Sequence, residues 1–281
     1  MSVCSPSMMW AKPRACALVA AGNEAVNHAP TAGEKRSIIA SLATAEEYPP
    51  GAPMGTLSAM QTAGEHHPAF EEYCECIYEM REDKAEIIQA RIADRLNVSR
   101  ASVSEMVKRM EAAGLLTVNA SSITLAPAGE ELATRIVRRH RLAERFLTDV
   151  LGLTWSQAHH EACRWEHVIS PEVEVGLARL LGNPSTCPHG NPIPGAAPIR
   201  VTVTPLEKVN IGSRFTLVRI PEEVEEADGA LTELETNHLA PGRQCTLTAR
   251  DKDAVHMIVH DSTDREVTLT PFVGSRLLVT L

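Results

Sequence analysis

The sequence predicts a mainly α-helical protein with a β-rich C-terminal domain. Apolar residues recur at helical spacing between residues 69 and 181. Within that region, two closely spaced helices are followed by two short alternating runs, which is the order of a winged helix-turn-helix. Beyond a proline-rich segment at 183–199, the pattern changes to short β-runs separated by turn residues. That change predicts a small C-terminal barrel.

The composition is that of a globular protein. Of the 281 residues, 44% are hydrophobic and 22% are charged. No apolar run approaches the roughly 20 residues that a membrane-spanning helix needs. The seven cysteines include no CxxC pair, so they indicate neither a disulfide framework nor a zinc ribbon. We expect a cytosolic protein with no membrane partner.

Charge is distributed unevenly along the chain. The net charge is −9, yet residues 81–145 hold 12 Lys and Arg against 9 Asp and Glu. Attraction to phosphate is local, because solvent screens it beyond about 8–10 Å. A basic segment can therefore bind DNA within an acidic chain.

Residues 66–126 are predicted to form the winged helix-turn-helix domain, preceded by a disordered extension at 1–65. The extension is rich in Ala, Pro, Gly and Ser and shows no sustained periodicity. In the domain, Gly114 stands where a helix C-terminal cap is expected. The expected helices and strands lie at about 69–81, 85–96, 100–113, 115–118 and 123–125.

The second helix of such a motif lies in the major groove, and its N-terminal residues meet the base edges. Hydroxyl and guanidinium groups there suit phosphates and bases, and a carboxylate can accept from cytosine. A winged helix used only for protein contact is the alternative. The predicted DNA-binding residues are Ser99, Arg100, Ala101, Ser102, Glu105, Lys108 and Arg109.

A helical domain is predicted at 127–199, followed by the barrel at 200–281. Pro127 suits the first position of a long helix that reaches about Val150. A second helix is expected at 155–169 and a third from Ser170 to about Leu181, before a proline-rich linker. The five strands of the barrel are predicted at 215–220, 245–249, 255–259, 266–269 and 276–281.

The string from His159 to His167 carries most of the chemistry. Helical spacing puts His159, Cys163, Glu166 and His167 on one stripe. Nitrogen, oxygen and thiolate donors together suit a divalent transition metal. A second pair with i,i+4 spacing, His140 and Glu144, lies on the preceding helix.

Two other interpretations of this string are open. For any single histidine or glutamate, a place on an exposed face or in a buried core is more common than a role as a metal ligand. The string His160-Glu161 also begins the HExxH pattern of a zinc protease, but Arg164 occupies its last position. The pattern therefore does not support a metal-dependent hydrolase, and we predict neither catalysis nor a small-molecule substrate.

Four strings make residues 67–195 resemble the diphtheria toxin repressor family of metal-dependent transcription factors. That family includes the iron-dependent regulators and the manganese transport regulator. The resemblance implies a homodimer with an N-terminal winged helix, a helical dimerisation domain and an SH3-like barrel, bound to a palindromic operator in double-stranded DNA. The strings are Arg91–Leu96, His140–Arg145, His159–His167 and Gly190–Gly195.

The same resemblance implies two metal sites. The primary site takes Cys163, Glu166 and His167 together with Glu72, which Glu75 follows one turn later. The second site takes His140, Glu144 and His159. Its barrel ligands do not align cleanly: the candidates are Glu223, Glu225, Glu226 and Asp228, of which we favour Glu226.

The ligand pattern favours Mn²⁺, with Fe²⁺ as the alternative. Iron-type members carry a methionine where Glu72 stands, so this carboxylate makes the site harder. Cys163, however, is the iron-type residue. Zn²⁺ or Co²⁺ can bind in vitro whatever the physiological ion. The resemblance thus predicts a metal-activated repressor of metal-uptake genes, and a DNA-binding protein without metal sensing is its main rival.

Overall fold

The computed structural model describes residues 68–119, 122–198 and 201–281. The predicted disordered extension at 1–65 lies outside these residues. The fold class is confirmed: helices form the N-terminal and central parts, and an antiparallel sheet forms the C-terminal part. No helix in the described ranges is both long and apolar enough to cross a bilayer.

The N-terminal domain is a winged helix-turn-helix. Its core is built from the apolar stripes that the sequence places on each helix, including Ile92, Val103 and Met110. Gly114 ends the recognition helix in the left-handed region, with φ 72°. The elements are α1 (Pro68–Glu82), α2 (Gln89–Arg95), α3 (Arg100–Ala112), β1 (Leu116–Asn119) and β2 (Ser122–Leu125).

Three further helices form the central domain: α4 (Pro127–Arg145), α5 (Trp155–Trp165) and α6 (Pro171–Leu180). A π-helical turn, Phe146–Val150, prolongs α4. Thr154 and Gln157 form a capping box at the start of α5. The prediction that this helix reaches Ile169 is wrong, because α5 ends at Trp165 and the chain turns at Glu166.

The segment predicted as a linker is packed against both neighbouring domains. Cys187, His189 and Asn191 are fully buried. Arg141 of α4 donates to the Pro192 carbonyl at 2.6 Å. A Cβ at Gly190 would lie 2.2 Å from the Val218 carbonyl oxygen, so only glycine allows the two backbones to approach this closely. The proline content therefore reflects a fixed, irregular path.

The C-terminal domain is a six-stranded antiparallel sheet in the order β3-β8-β4-β5-β6-β7. Five strands are predicted, and the sixth is the two-residue β3. Helices that the sequence analysis does not predict interrupt the strands. The bounds are β3 (Thr204–Pro205), β4 (Arg214–Arg219), α7 (Glu222–Glu225), α8 (Ala230–Thr236), β5 (Gln244–Arg250), β6 (Val255–His260), β7 (Arg265–Leu269), α9 (Pro271–Arg276) and β8 (Leu278–Thr280).

The sheet domain shares its core with the helical domain. Trp155, the first residue of α5, belongs to the same apolar cluster as Phe215 and Leu217 of β4. Large aromatic side chains contribute most to such a core because each buries about 150–250 Å². This packing holds α7 beside α4 and α5, where the predicted ligands lie.

Candidate metal centre and nucleic-acid interface

His167 connects the winged-helix domain to the helical domain. Its Nδ1 lies 2.8 Å from Glu71 Oε2, and its Nε2 lies 3.0 Å from Glu72 Oε1, both on α1. Nε2 is also 3.2 Å from Glu166 Oε1. Since α5 ends at Trp165, His167 is free of the helix and can turn towards α1. Glu72, Glu166 and His167 thus present three ligand atoms within 4.8 Å of one another.

The charges around His167 hold a proton on its ring. Burial acts to lower the pKa of His167, but the hydrogen bonds to Glu71 and Glu72 and the charge of Glu166 outweigh it and raise that pKa to about 10. Burial raises the pKa of Glu72. At neutral pH the imidazolium therefore offsets the carboxylates, and a cation that binds Nε2 displaces a proton.

Glu166 links this group to α4. Its Oε2 lies 2.6 Å from His140 Nδ1, and Glu75 of α1 joins the two as a second group of three ligand atoms. Burial, followed by the charge of Glu166, holds the pKa of Glu75 well above its usual range. Glu75 Oε1 is buried without a hydrogen-bond partner. An orphaned buried carboxylate oxygen fits a position that a cation completes.

Cys163 of α5 faces the same region, next to His159 one turn earlier on the same helix. Its Sγ lies 4.0 Å from His159 Nε2, and it is outside the groups of three ligand atoms found among the described residues. It lines a small cavity of about 40 Å³, enough for an ion or a water molecule. The polar lining residues are Glu72, Glu75, Cys76, Glu79, His140, His159, Cys163, Glu166, Glu222 and Glu226.

A second centre lies deeper, between α4, α7 and the segment after α6. His189 Nδ1 lies 2.6 Å from Glu225 Oε2 and 3.4 Å from Glu144 Oε1, and Cys187 Sγ lies 3.8 Å from the same nitrogen. His159 Nδ1 approaches Glu144 Oε1 at 3.1 Å. Glu144 Oε2 and His189 Nε2 are buried without hydrogen-bond partners. This donor set, with its orphaned atoms, also fits a divalent cation.

Charges in this centre are strongly coupled. Burial opposes the ionised forms, yet the charge of Glu144 raises the pKa of His189 to about 10. In turn, the charges of His189 and His140 overcome burial and hold the pKa of Glu144 well below its usual range. Burial and the charge of Glu144 raise the pKa of Cys187 to about 11. Without a cation, the thiol is therefore protonated at neutral pH.

In the sheet domain, the carboxylates that join the candidate donor groups differ from Glu226, which the sequence favours. Glu222 and Glu225, one turn apart on α7, each join a group of three ligand atoms, whereas Glu226 lies 3.4 Å from Arg95. Glu223 pairs with Arg276 at 3.0 Å. Glu226 borders the small cavity but belongs to no such group among the described residues. The one-turn α7 is too short for periodicity to reveal which of its residues share a face.

Cys187 and His189 are the other residues missed by sequence reasoning. They lie in the segment interpreted as a linker, and their Cys-x-His spacing in that segment was the available signal. Glu71 was missed because adjacent residues on a helix point in different directions, so the choice of Glu72 as a ligand excluded Glu71. Helical geometry alone does not indicate that both side chains reach His167.

The sheet domain also contacts the winged-helix domain directly. Arg95 of α2 pairs with Glu226, which follows α7, at 3.4 Å, and with Glu79 of α1 at 2.9 Å. Arg219 of β4 pairs with Asp83, which follows α1, at 2.7 Å. Burial raises the pKa of Asp83 to about 6, although Arg219 acts to lower it. Ion pairs of Glu226, at the end of α7, and of Arg219 on β4 therefore join the sheet domain to the winged-helix domain.

The predicted DNA-binding residues form an exposed surface at α3. All seven are exposed: Ser99, Arg100, Ala101, Ser102, Glu105, Lys108 and Arg109. Ser99 caps the helix by accepting from the Ser102 amide, so its hydroxyl also has a structural role. The Arg109 guanidinium stacks over the Phe70 ring at 5.6 Å. The side chains of Arg100 and Lys108 are exposed to solvent on this surface.

Known proteins resemble this chain in sequence and in structure. The model of the iron dependent repressor N-terminal DNA binding domain matches residues 67–122, and that of the iron dependent repressor metal binding and dimerisation domain matches 126–195. The iron-dependent repressor IdeR of Mycobacterium tuberculosis is 38% identical over 201 residues, covering 67% of this chain and 87% of the relative.

Two other relatives extend the comparison. The diphtheria toxin repressor of Corynebacterium diphtheriae is 50% identical over 126 residues, which cover 44% of this chain and 56% of the relative. A solved structure described as a manganese-dependent transcriptional repressor in complex with manganese superposes with a TM-score of 0.67 at 25% identity. That alignment covers 75% of this chain and 98% of the other.

Proposed function

Since the chain belongs to the diphtheria toxin repressor family of metal-dependent transcriptional repressors, we propose that it is a Mn²⁺-activated repressor of metal-uptake genes that binds palindromic operators as a homodimer. The observation that carries the proposal is the contact of His167 Nε2 with Glu72 and Glu166. These ligand atoms come from two domains, one of which carries the recognition helix.

The first cation position would be held by Glu72, Glu166 and His167, with Glu75, His140 and Cys163 at its border. A bound divalent cation supplies two positive charges and draws carboxylate and imidazole donors to one point. Without it, the protonated rings of His167 and His140 offset only part of the negative charge that Glu72, Glu75 and Glu166 can carry. Repulsion among these carboxylates then leaves α1 loosely held against the helical domain.

A cation that fixes Glu72 also fixes the position of the recognition helix α3. Cys74 and Ile77 of α1 share one apolar core with Val103 and Met110 of α3, so the two helices move together. A fixed α1 sets the spacing between the recognition helices of the two subunits, and a palindrome demands one spacing. Metal affinity and operator affinity are therefore coupled, and the coupling is reciprocal.

The donor chemistry of the first position favours Mn²⁺ over Fe²⁺. Glu72, Glu75 and Glu166 offer carboxylate oxygens and His167 offers a nitrogen, a predominantly hard set. The Cys163 sulfur lies 4.0 Å from His159 Nε2 and belongs to none of the groups of three ligand atoms found among the described residues. An Fe²⁺-dependent repressor of iron acquisition is the second candidate, favoured by the soft donor in Cys163. Zn²⁺ and Co²⁺ would compete in vitro.

The second cation position would be held by Glu144, Cys187, His189 and Glu225. His140, His159 and Glu222 lie beside it and complete the shell. Glu226, which the sequence favours as a ligand, would instead pair with Arg95 at the edge of the site. Because these ligands come from α4, α7 and the segment after α6, a cation here would fasten the barrel to the helical domain.

A second copy of the chain would cover an apolar surface on the helical domain. Leu151, Val168, Val173 and Val175 are large apolar residues exposed in this region, and the matching family model describes the region as a dimerisation domain. DNA recognition by the dimer would use the seven exposed residues at α3. A protein with this role shares a compartment with DNA, so a cytoplasmic location is part of the proposal, and catalysis is not.

Operator binding should depend on the cation. With the full chain and a labelled operator from an adjacent metal-uptake gene, we expect Mn²⁺ to increase affinity at least tenfold over chelator-treated protein, a coupling of about 1.4 kcal/mol or more. Fluorescence anisotropy under anaerobic, reducing conditions would compare Mn²⁺ with Fe²⁺. Equal affinity in chelator would instead favour a metal-independent DNA-binding protein.

Two variants control for the DNA surface in the same experiment. Arg100→Ala should weaken operator binding in the presence of Mn²⁺ by about 1–3 kcal/mol if it reads a base, or reduce the salt dependence if it contacts a phosphate. Arg179→Ala removes an exposed arginine from α6 and should change neither. An Arg100→Ala protein that bound normally would remove α3 from the proposed interface.

A further inference from the structure

The His167 ring is held by both of its nitrogens. Nδ1 lies 2.8 Å from Glu71 Oε2, while Nε2 faces Glu72 Oε1 at 3.0 Å and Glu166 Oε1 at 3.2 Å. Glu71 is buried, and its Oε2 faces Nδ1, not the nitrogen that faces Glu72 and Glu166. Neither the sequence pattern nor the family resemblance assigns Glu71 a role.

A neutral imidazole can bind a cation through only one nitrogen, and the other nitrogen then carries the proton. Metal-binding histidines commonly donate that proton to a carboxylate, which orients the ring and makes the ligating nitrogen more basic. In this protein, Nδ1 is the nitrogen that can donate to Glu71. Nε2 is the nitrogen that lies among the other ligand atoms.

Resting on the proposed function, we infer that Glu71 is a positioning residue that keeps the proton of His167 on Nδ1 and turns Nε2 towards the cation. It also adds a second attachment of α1 to the helical domain, next to that of Glu72. The winged-helix domain is therefore held both by the ligand Glu72 and by Glu71, which contacts His167 but not the cation.

A purely structural role for Glu71 makes a different prediction. Glu71 lies in the first turn of α1, where a negative charge stabilises the helix dipole. Gln at this position keeps an acceptor for Nδ1 but loses the charge, whereas Ala loses both. Positioning therefore predicts graded effects of Gln and Ala, while a dipole effect predicts equal effects confined to stability.

The test measures Mn²⁺ affinity by competition with a fluorescent chelator, using full-length wild type, Glu71→Gln and Glu71→Ala. We expect Glu71→Ala to weaken binding about 10–100-fold, the range typical of outer-shell partners, and Glu71→Gln to weaken it less. Glu131→Ala, which removes an exposed carboxylate from α4, should match wild type. Thermal unfolding of the metal-free proteins provides the separate measure of stability.

A spectroscopic readout reports the ring itself. In the Zn²⁺-loaded protein with ¹⁵N-labelled histidine, wild type and Glu71→Gln should show His167 protonated at Nδ1, and Glu71→Ala should lose this signature. Unchanged Mn²⁺ affinity and an unchanged ring signal in Glu71→Ala would overturn the inference. If His167→Ala also left Mn²⁺ affinity unchanged, the proposed metal site itself would fail, so the two failures are distinguishable.

Discussion

Glu72→Ala should remove most of the metal dependence of operator binding while the dimer stays folded. Glu72 supplies the ligand atom nearest His167 Nε2 from the DNA-binding domain. Its loss should weaken Mn²⁺ binding at the first position more than about 100-fold, beyond the effect of an outer-shell partner. Stability should change little, because burial already raises the pKa of Glu72 and its removal relieves repulsion from Glu166.

Operator anisotropy across a Mn²⁺ titration measures this effect, with thermal unfolding as the check on folding. Cys187→Ser is the informative comparison because it alters the second position and leaves Glu72, Glu166 and His167 in place. It should lower the number of tightly bound cations per subunit by one. A Glu72→Ala protein with the wild-type Mn²⁺ midpoint for operator binding would contradict the assignment of this ligand.

Arg141→Met should be the most destabilising single substitution in this region. The guanidinium is fully buried, and it pairs with Glu82 at 2.6 Å and with Glu222 at 3.1 Å while donating to the Pro192 carbonyl. Methionine would fill much of the space but leave the carboxylate of Glu222 buried without its partner. Breaking a buried pair in this way costs about 3–5 kcal/mol.

Urea unfolding of the metal-free protein at fixed concentration measures this loss. Arg164→Met is the matched control because Arg164 pairs with Glu161 at 3.0 Å on the exposed face of α5. Exposed pairs contribute at most about 1 kcal/mol, so the control should unfold almost like wild type. Equal losses in the two variants would show that Arg141 does not hold α1, α4 and the barrel together.

Local sequence patterns predict the DNA-binding domain well because its structure is mostly local. The stripes on α2 and α3 and the glycine at 114 act within a few residues, so spacing alone indicates them. The candidate ligands on α4 and α5 are proposed from the same kind of spacing. Their arrangement was not predicted, because the stripe assumed one helix, whereas α5 ends before Glu166.

The remaining ligands depend on contacts between distant segments. His189 meets Glu144 across 45 positions of sequence and Glu225 across 36, and the chain reaches them through a proline-rich path with no periodicity. Glu222 and Glu225 lie on a four-residue helix, where propensity carries little information. Packing of the sheet domain on Trp155 brings these segments together, and no local sequence pattern predicts that packing.

A cation bound between Glu72 and His167 is proposed to fix the orientation of the two winged-helix domains in the dimer. Ala112, which is exposed at the end of α3, can carry a spin label attached through an unnatural amino acid. Double electron–electron resonance then measures the distance between the two labels of the dimer. Diamagnetic Zn²⁺ leaves the label signals intact. We predict a broad distance distribution in chelator and a single narrow one with Zn²⁺. The same narrow distribution in both states would contradict the account.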